Sequence, residues 1–150
     1  MYLQHGTLET KSIGVNSPGL PTVTVDHGHR RFVGLPVDSW DQLPIVQRCQ
    51  ARNRISINLG QEARFWLFIN LTLQQIAQWL KLSAGIRLSG SALGNAFMQR
   101  DPTYPVVKLK IAPYEAYLAP TENLIHDGCS LDKSTLDLHL TFLGHFGVTA

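Results

Sequence analysis

The feature that most constrains this chain is a strict alternation close to its end. Leu136, Leu138, Leu140 and Phe142 alternate with Asp137, His139, Thr141 and Leu143. A period of two belongs to an extended strand, whose successive side chains leave opposite faces. A helix would scatter the same leucines around its axis. The rhythm recurs in Ile55–Leu59 (ISINL), and Phe65–Asn70 (FWLFIN) is a second, aromatic-rich strand after the turn Leu-Gly-Gln-Glu. These two are expected to form a hairpin. Val107, Leu109 and Ile111 share one face while Lys108 and Lys110 share the other, and Ala116–Ala119 (AYLA) follows Pro113. Asn123–Ile125 then leads into His126-Asp127-Gly128. Near the start, Pro21–Asp26 (PTVTVD) reads as a strand running into His27-Gly28-His29, with Arg31–Leu35 continuing it or returning from it.

One helix is signposted. Thr72 with Gln75 three residues later fits a capping box, and Leu73, Ile76, Ala77 and Leu80 then share a face, which predicts a helix over Leu73–Leu82. A second helix is predicted over Ser91–Gln99, stopped before Pro102. Pro36–Pro44 is a loop by its prolines and aspartates. The order strands, helices, strands points to a mainly β chain: an antiparallel barrel or sandwich with a helical insertion. Residues 1–20, rich in Gly, Ser, Thr and Asn, are expected to be an N-terminal arm or a loosely held first strand. Residues 21–150 are expected to be a single β-rich domain.

A chain of 150 residues is long enough to bury its own core, and 44% apolar with 16% charged residues excludes a disordered tail. Thirteen Lys+Arg against eleven Asp+Glu leave a net charge of +2, too small for a duplex-sized electrostatic footprint, so no nucleic-acid partner is expected. Arg48, Arg52 and Arg54 form a short basic run that reads as a small anion patch or as a solvated face. Two cysteines, Cys49 and Cys129, make no disulfide framework. The start has neither a basic region nor an apolar stretch of a secretory leader, and no apolar run approaches the ~20 residues that cross a bilayer. The expected setting is therefore cytoplasmic, with no membrane partner. Dinucleotide, P-loop, zincin and nucleophile-elbow motifs do not occur.

Chemistry is expected from the segment Tyr117–Cys129 and from the histidines. His27 and His29 are two apart at a strand end, and in extended chain both imidazoles point to one face, as a pair of metal ligands must. The alternative is exposed turn chemistry around Gly28. His126 is the candidate third ligand from another strand, with Asp127 as the acceptor that orients its ring. The alternative there is an Asx-type turn at Asp127-Gly128. Three imidazoles with open positions would suit Fe(II), Zn, Mn, Cu or Ni. His139 lies opposite the leucines, so it looks into a pocket if that face lines an interior and into solvent if it does not. Glu122, beside Thr121 and Asn123, is the candidate general acid or base if buried, and Tyr117, Asp127 and His139 are candidates to shape or protonate the pocket.

These residues resemble two motifs of the double-stranded β-helix proteins, the cupins and related non-haem iron oxygenases. His27-Gly-His29 looks like the paired histidines of the first cupin motif. Glu115-Ala-Tyr-Leu-Ala-Pro120 followed by His126 looks like the second motif, in which a strand, a proline turn and a histidine return to the same metal. The resemblance implies a jelly-roll barrel and a divalent metal, Fe(II) above all, held by His27, His29 and His126, with a small polar substrate and O2 at the open positions. The glutamate expected after the first pair is replaced within Arg31–Gly34, and no arginine stands near His139 in sequence, where the 2-oxoglutarate enzymes place theirs. A three-histidine centre is thus implied rather than 2-oxoglutarate chemistry. Two other functions compete: a non-catalytic ligand-binding barrel, and a partner-binding β-domain whose strand edge or face forms a homodimer.

Overall fold

The computed structural model describes residues 2–82 and 89–148. It is mainly β and antiparallel throughout. Nine strands are described: β1 (Tyr2–Asn16), β2 (Val25–Asp26), β3 (Arg31–Phe32), β4 (Asn53–Asn58), β5 (Arg64–Thr72), β6 (Val107–Ile111), β7 (Ala116–Ala119), β8 (Leu124–Cys129) and β9 (Asp137–Val148). Two α-helices, α1 (Leu73–Trp79) and α2 (Gly90–Arg100), stand between β5 and β6, and a 3-10 helix covers Ile45–Gln50.

The strands form a four-stranded sheet in the order β1-β9-β4-β7, a three-stranded sheet β6-β5-β8, and the small ribbon β2-β3. The sheets do not close into a barrel. The expected hairpin of ISINL with FWLFIN is not formed. β4 pairs with β7 and β9, whereas β5 pairs with β6 and β8, so the turn at 59–63 carries the chain from one sheet to the other. Asn58 holds that corner: its Nδ2 donates to the carbonyls of Glu62 (2.9 Å) and Ile111 (3.1 Å), and its Oδ1 accepts from the Gly60 amide (2.9 Å). Of the arm and the first strand expected there, the first residues form the strand. Tyr2–Asn16 is the longest of the described strands and pairs along β9, the next longest, with two register shifts.

The three-stranded sheet has two unlike faces. One carries Ile69 and Ile125, which meet Leu73, Ile76, Leu93 and Phe97 of the helices in a core where all six are fully buried. Burying each such side chain contributes about 1.5–3 kcal/mol, so this helix-on-sheet layer is the main source of apolar stabilisation. α1 begins where expected: Thr72 accepts from the Gln75 amide (3.2 Å) and the Gln75 side chain accepts from the Thr72 amide (2.8 Å), the two halves of a capping box. The helix ends at Trp79, three residues short of the predicted Leu82. α2 opens at Ser89, whose hydroxyl accepts from the Ala92 amide (3.1 Å).

The other face, bearing Arg64, Trp66, Phe68 and His126, turns toward the four-stranded sheet. Contact between the two is direct: Trp66 stacks on Tyr117 at 4.8 Å, and Arg64 Nη1 donates to Ser56 Oγ at 3.3 Å. In β9 the polar set Asp137, His139 and Thr141 points inward, while Leu138, Leu140 and Phe142 stand half-buried on the outer side. Polar side chains therefore share the space between the sheets with the stacked rings of Phe68, Trp66 and Tyr117.

Candidate functional site

Strand parity builds the site. In β4, Arg54, Ser56 and Asn58 share the inward face, and the register sets Asn58 opposite His139 and Ser56 opposite both Thr141 and Tyr117. From the facing sheet come Arg64 of β5 and His126 of β8. Between them opens a cleft of about 450 Å³, whose lining includes Arg54, Arg64, Tyr117, His126, His139 and Asp38. The loop over 36–40 closes one side, and Trp40 and Ser39 belong to the lining there.

Two glycines make room for these side chains. A Cβ on Gly14 would come within 2.1 Å of His139 Cε1, so the imidazole lies flat against the β1 backbone where only hydrogen can stand. A Cβ on Gly128 would meet Arg64 Nη2 at 2.9 Å, so the guanidinium passes over a bare backbone position of β8.

The electrostatics follow from burial and from pairing. Arg54 Nη2 lies 2.7 Å from Asp38 Oδ2, while Arg64 Nε lies 3.2 Å and Lys133 Nζ 3.4 Å from Asp137 Oδ1. Asp137 is wholly buried and also accepts from Asn16 Nδ2 at 3.0 Å. Arg54 Nε and His139 Nδ1 are buried without a hydrogen-bond partner, an arrangement that costs free energy unless something polar meets them. Burial pushes the His139 imidazole down to about 4, with the Arg64 charge acting in the same direction and Asp137 opposing it. Burial also lowers His126; Asp38 opposes this and Arg54 reinforces it. Both rings are consequently neutral at pH 7.

The tautomer of His126 follows from its one hydrogen bond. Nδ1 lies 3.0 Å from the Leu124 carbonyl, which can only accept, so Nδ1 carries the proton and Nε2 keeps its lone pair. Nε2 faces Asp38 Oδ2 at 3.7 Å. A neutral imidazole with one nitrogen anchored and the other free in a cleft can accept a hydrogen bond or a proton.

Four of the seven residues singled out from sequence line this cleft: Tyr117, His126, Asp127 and His139. Asp127 does not orient His126. It lies on the opposite face of β8 and accepts from the amides of Val23 (2.9 Å), Thr24 (3.0 Å) and Gly128 (2.8 Å) and from Thr24 Oγ1 (2.8 Å). It thereby ties the 23–24 segment to the sheet, and burial raises its carboxyl against those bonds. His-Asp-Gly is strand, not a loop mouth. Glu122 is buried but outside the cleft lining: it pairs with Arg48 at 3.3 Å and accepts from the Asp41 amide at 2.7 Å, holding the 38–48 segment down. Burial raises its pKa.

His27 and His29 are not brought to His126. β2 ends at Asp26, so residues 27–30 form an exposed turn and the same-face rule for extended chain does not apply. His29 Nδ1 binds Asp26 Oδ2 at 2.7 Å, and the Asp26 carboxylate also accepts from the amides of Gly28 and His29. Among the described residues, no three His, Cys, Asp or Glu side chains are grouped to hold a metal ion. The donor set expected for Fe(II) thus does not fit this arrangement.

Arg54, Arg64 and Asp38 were not picked out as site residues from sequence. Arg54 stood in the basic run noted above, which the fold divides three ways: Arg48 to Glu122, Arg52 to Asp41 and Glu9, and Arg54 to the cleft. Arg64 carried a usable signal, since it shares parity with Trp66 and opens the wholly apolar run Phe65–Ile69.

No family model, curated protein or solved structure matches this chain. Among the described residues, no helix is long and apolar enough to cross a membrane.

Proposed function

We propose that the cleft between the two sheets binds a small polar molecule through an acidic group, a carboxylate or another oxyanion. One observation carries this reading: Arg54 and Arg64 reach the same cleft from opposite sheets, and the Nε of Arg54 is buried with no hydrogen bond. A guanidinium fork is suited to a planar oxyanion. A cleft of about 450 Å³ is the size of small-molecule sites, and convergent polar groups at its wall are the usual basis of their specificity. The glycines at 14 and 128 support the same reading, because each clears space for a polar side chain that serves no core packing.

A second reading, proton transfer on the bound molecule, is favoured by the free Nε2 of His126. The oxygenase reading needs the imidazoles of His27, His29 and His126 at one point, and among the described residues no three such side chains are grouped. The resemblance to the double-stranded β-helix proteins remains an expectation about topology, and binding in an open cleft does not require it.

The test is calorimetric titration of the purified protein with acetate, succinate, citrate, inorganic phosphate and the common L-amino acids. At least one is expected to bind, and Arg54→Gln to weaken that binding at least tenfold with the circular dichroism spectrum unchanged. Should the folded wild type take up none of them at millimolar concentration, or Arg54→Gln bind as tightly as wild type, the reading fails.

A further inference from the structure

The four-stranded sheet turns its polar set toward the other sheet, and the face it turns away is apolar. The register lays that outer face out in cross-strand rows. Ile13, Leu140, Ile57 and Ala116 form one row across all four strands. Phe142, Ile55 and Leu118 stand in the next, and Val15 stands beside Leu138 in the one before. No charged side chain shares these rows. Lys11, the lysine of β1, leans instead over the Trp40 ring of the cleft wall at 4.4 Å. Both helices pack on the other sheet, and Ile13 and Val15 are left 68% and 59% exposed. A continuous apolar patch of this extent marks a contact surface.

Three features select a second copy of the chain as the occupant. The first is size. With strands about 4.8 Å apart and about 3.3 Å per residue, the face covers roughly 500 Å². Two copies face to face would bury about 1,000 Å², the size that a specific interface has to clear. The second is the absence of charge in the rows. A lipid surface is met by an apolar stripe flanked with Lys and Arg, and a different protein is selected by complementary charge. The rows carry neither signal. The third is a knob beside a hollow. Tyr114, 78% exposed, stands at the mouth of a hollow of about 610 Å³ that Leu59, Leu136 and Leu138 also line. Leu138 joins that hollow to the sheet face. Under a two-fold axis each knob can enter the hollow of the other copy, which makes one patch complementary to itself.

We propose that the outer face of the four-stranded sheet is a sheet-on-sheet interface between two copies of this chain, with each Tyr114 seated in the hollow of the other copy. The cleft lies on the opposite side of the sheet and stays open in such a pair, so the inference is independent of the binding reading above.

Sedimentation equilibrium from micromolar to millimolar chain concentration tests it. Wild type is expected to approach twice the chain mass within that range. The double variant Ile13→Glu with Val15→Glu is expected to dissociate the pair at least a hundredfold more readily, and Tyr114→Ala at least tenfold. Both variants should keep the circular dichroism spectrum and the urea midpoint that wild type shows at high dilution. A wild type that stays monomeric throughout overturns the proposal; if that monomer also floats with phosphatidylcholine vesicles, the face belongs to a lipid surface instead. A dimer that tolerates both glutamates, or that is indifferent to Tyr114→Ala, is formed elsewhere on the molecule and equally overturns it. If the double variant does not fold, Tyr114→Ala decides by itself.

Discussion

His139 offers the sharpest test of the buried polar layer. Its imidazole is held near 4 rather than at the ordinary 6.5. One pH unit corresponds to about 1.4 kcal/mol, so the folded chain disfavours the charged ring by about 3 kcal/mol relative to the unfolded chain. Between those two values the unfolded state holds a proton that the folded state refuses. Stability must therefore fall as pH drops from about 6.5 to about 4, and this contribution levels off below that. The raised carboxyls of Glu122 and Asp127 act in the opposite sense, so the comparison has to be differential. Urea unfolding of wild type and His139→Gln at half-unit steps from pH 7.5 to 4 isolates the residue. The gap between the two curves is expected to shift in favour of the variant by about 3 kcal/mol across that range. The imidazole itself, followed by long-range proton–nitrogen NMR, should titrate near 4. Parallel stability curves, or a titration midpoint near 6.5, would refute the burial of this ring against Gly14.

Gly14→Ala places a methyl where the His139 ring lies and should drive the ring outward, moving its titration up toward 6.5 while the chain stays folded; an unmoved midpoint in the NMR titration contradicts this packing. Arg48→Ala leaves the Glu122 carboxylate buried and unpaired and should cost about 3–5 kcal/mol in denaturant unfolding, whereas a loss within experimental error would show that Glu122 is held by the Asp41 amide alone. Phe97→Ala empties part of the helix–sheet core and should cost about 3–5 kcal/mol by the same measurement, while the exposed Ile13→Ala should stay within about 0.5 kcal/mol. A double variant, His27→Ala with His29→Ala, should leave both acid binding and metal content unchanged, and a loss of either on calorimetry or elemental analysis would return these residues to the site.

Much of the local structure was legible in the chain. The capping box at Thr72 and Gln75, the strand Ala116–Ala119 and the alternation of β9 are short-range signals, and the structure follows them. The hairpin expected of β4 and β5 was not legible, because a tight turn is equally able to join two strands of one sheet or carry the chain between two sheets. Parity marked His139 as lying opposite the leucines, yet not which face would be interior. Hydrophobicity pointed to the leucines. The outcome was the reverse, because Asp137, Arg64, Lys133 and Ser56 meet partners across the gap and are buried as a network.

By itself, the order of residues determined where the capped helix α1 begins, roughly where the strands after Asn53 lie, and that the chain is mainly β. Only the tertiary structure decided which polar groups meet. Arg54, Arg64, His126 and His139 stand far apart along the chain and share one cleft because two sheets face each other. His27 and His29 are neighbours in sequence and stay in solvent because their strand stops at Asp26. The physical reason is range: caps and alternation act over a few residues, whereas charge pairing across a gap depends on a register that no local segment encodes.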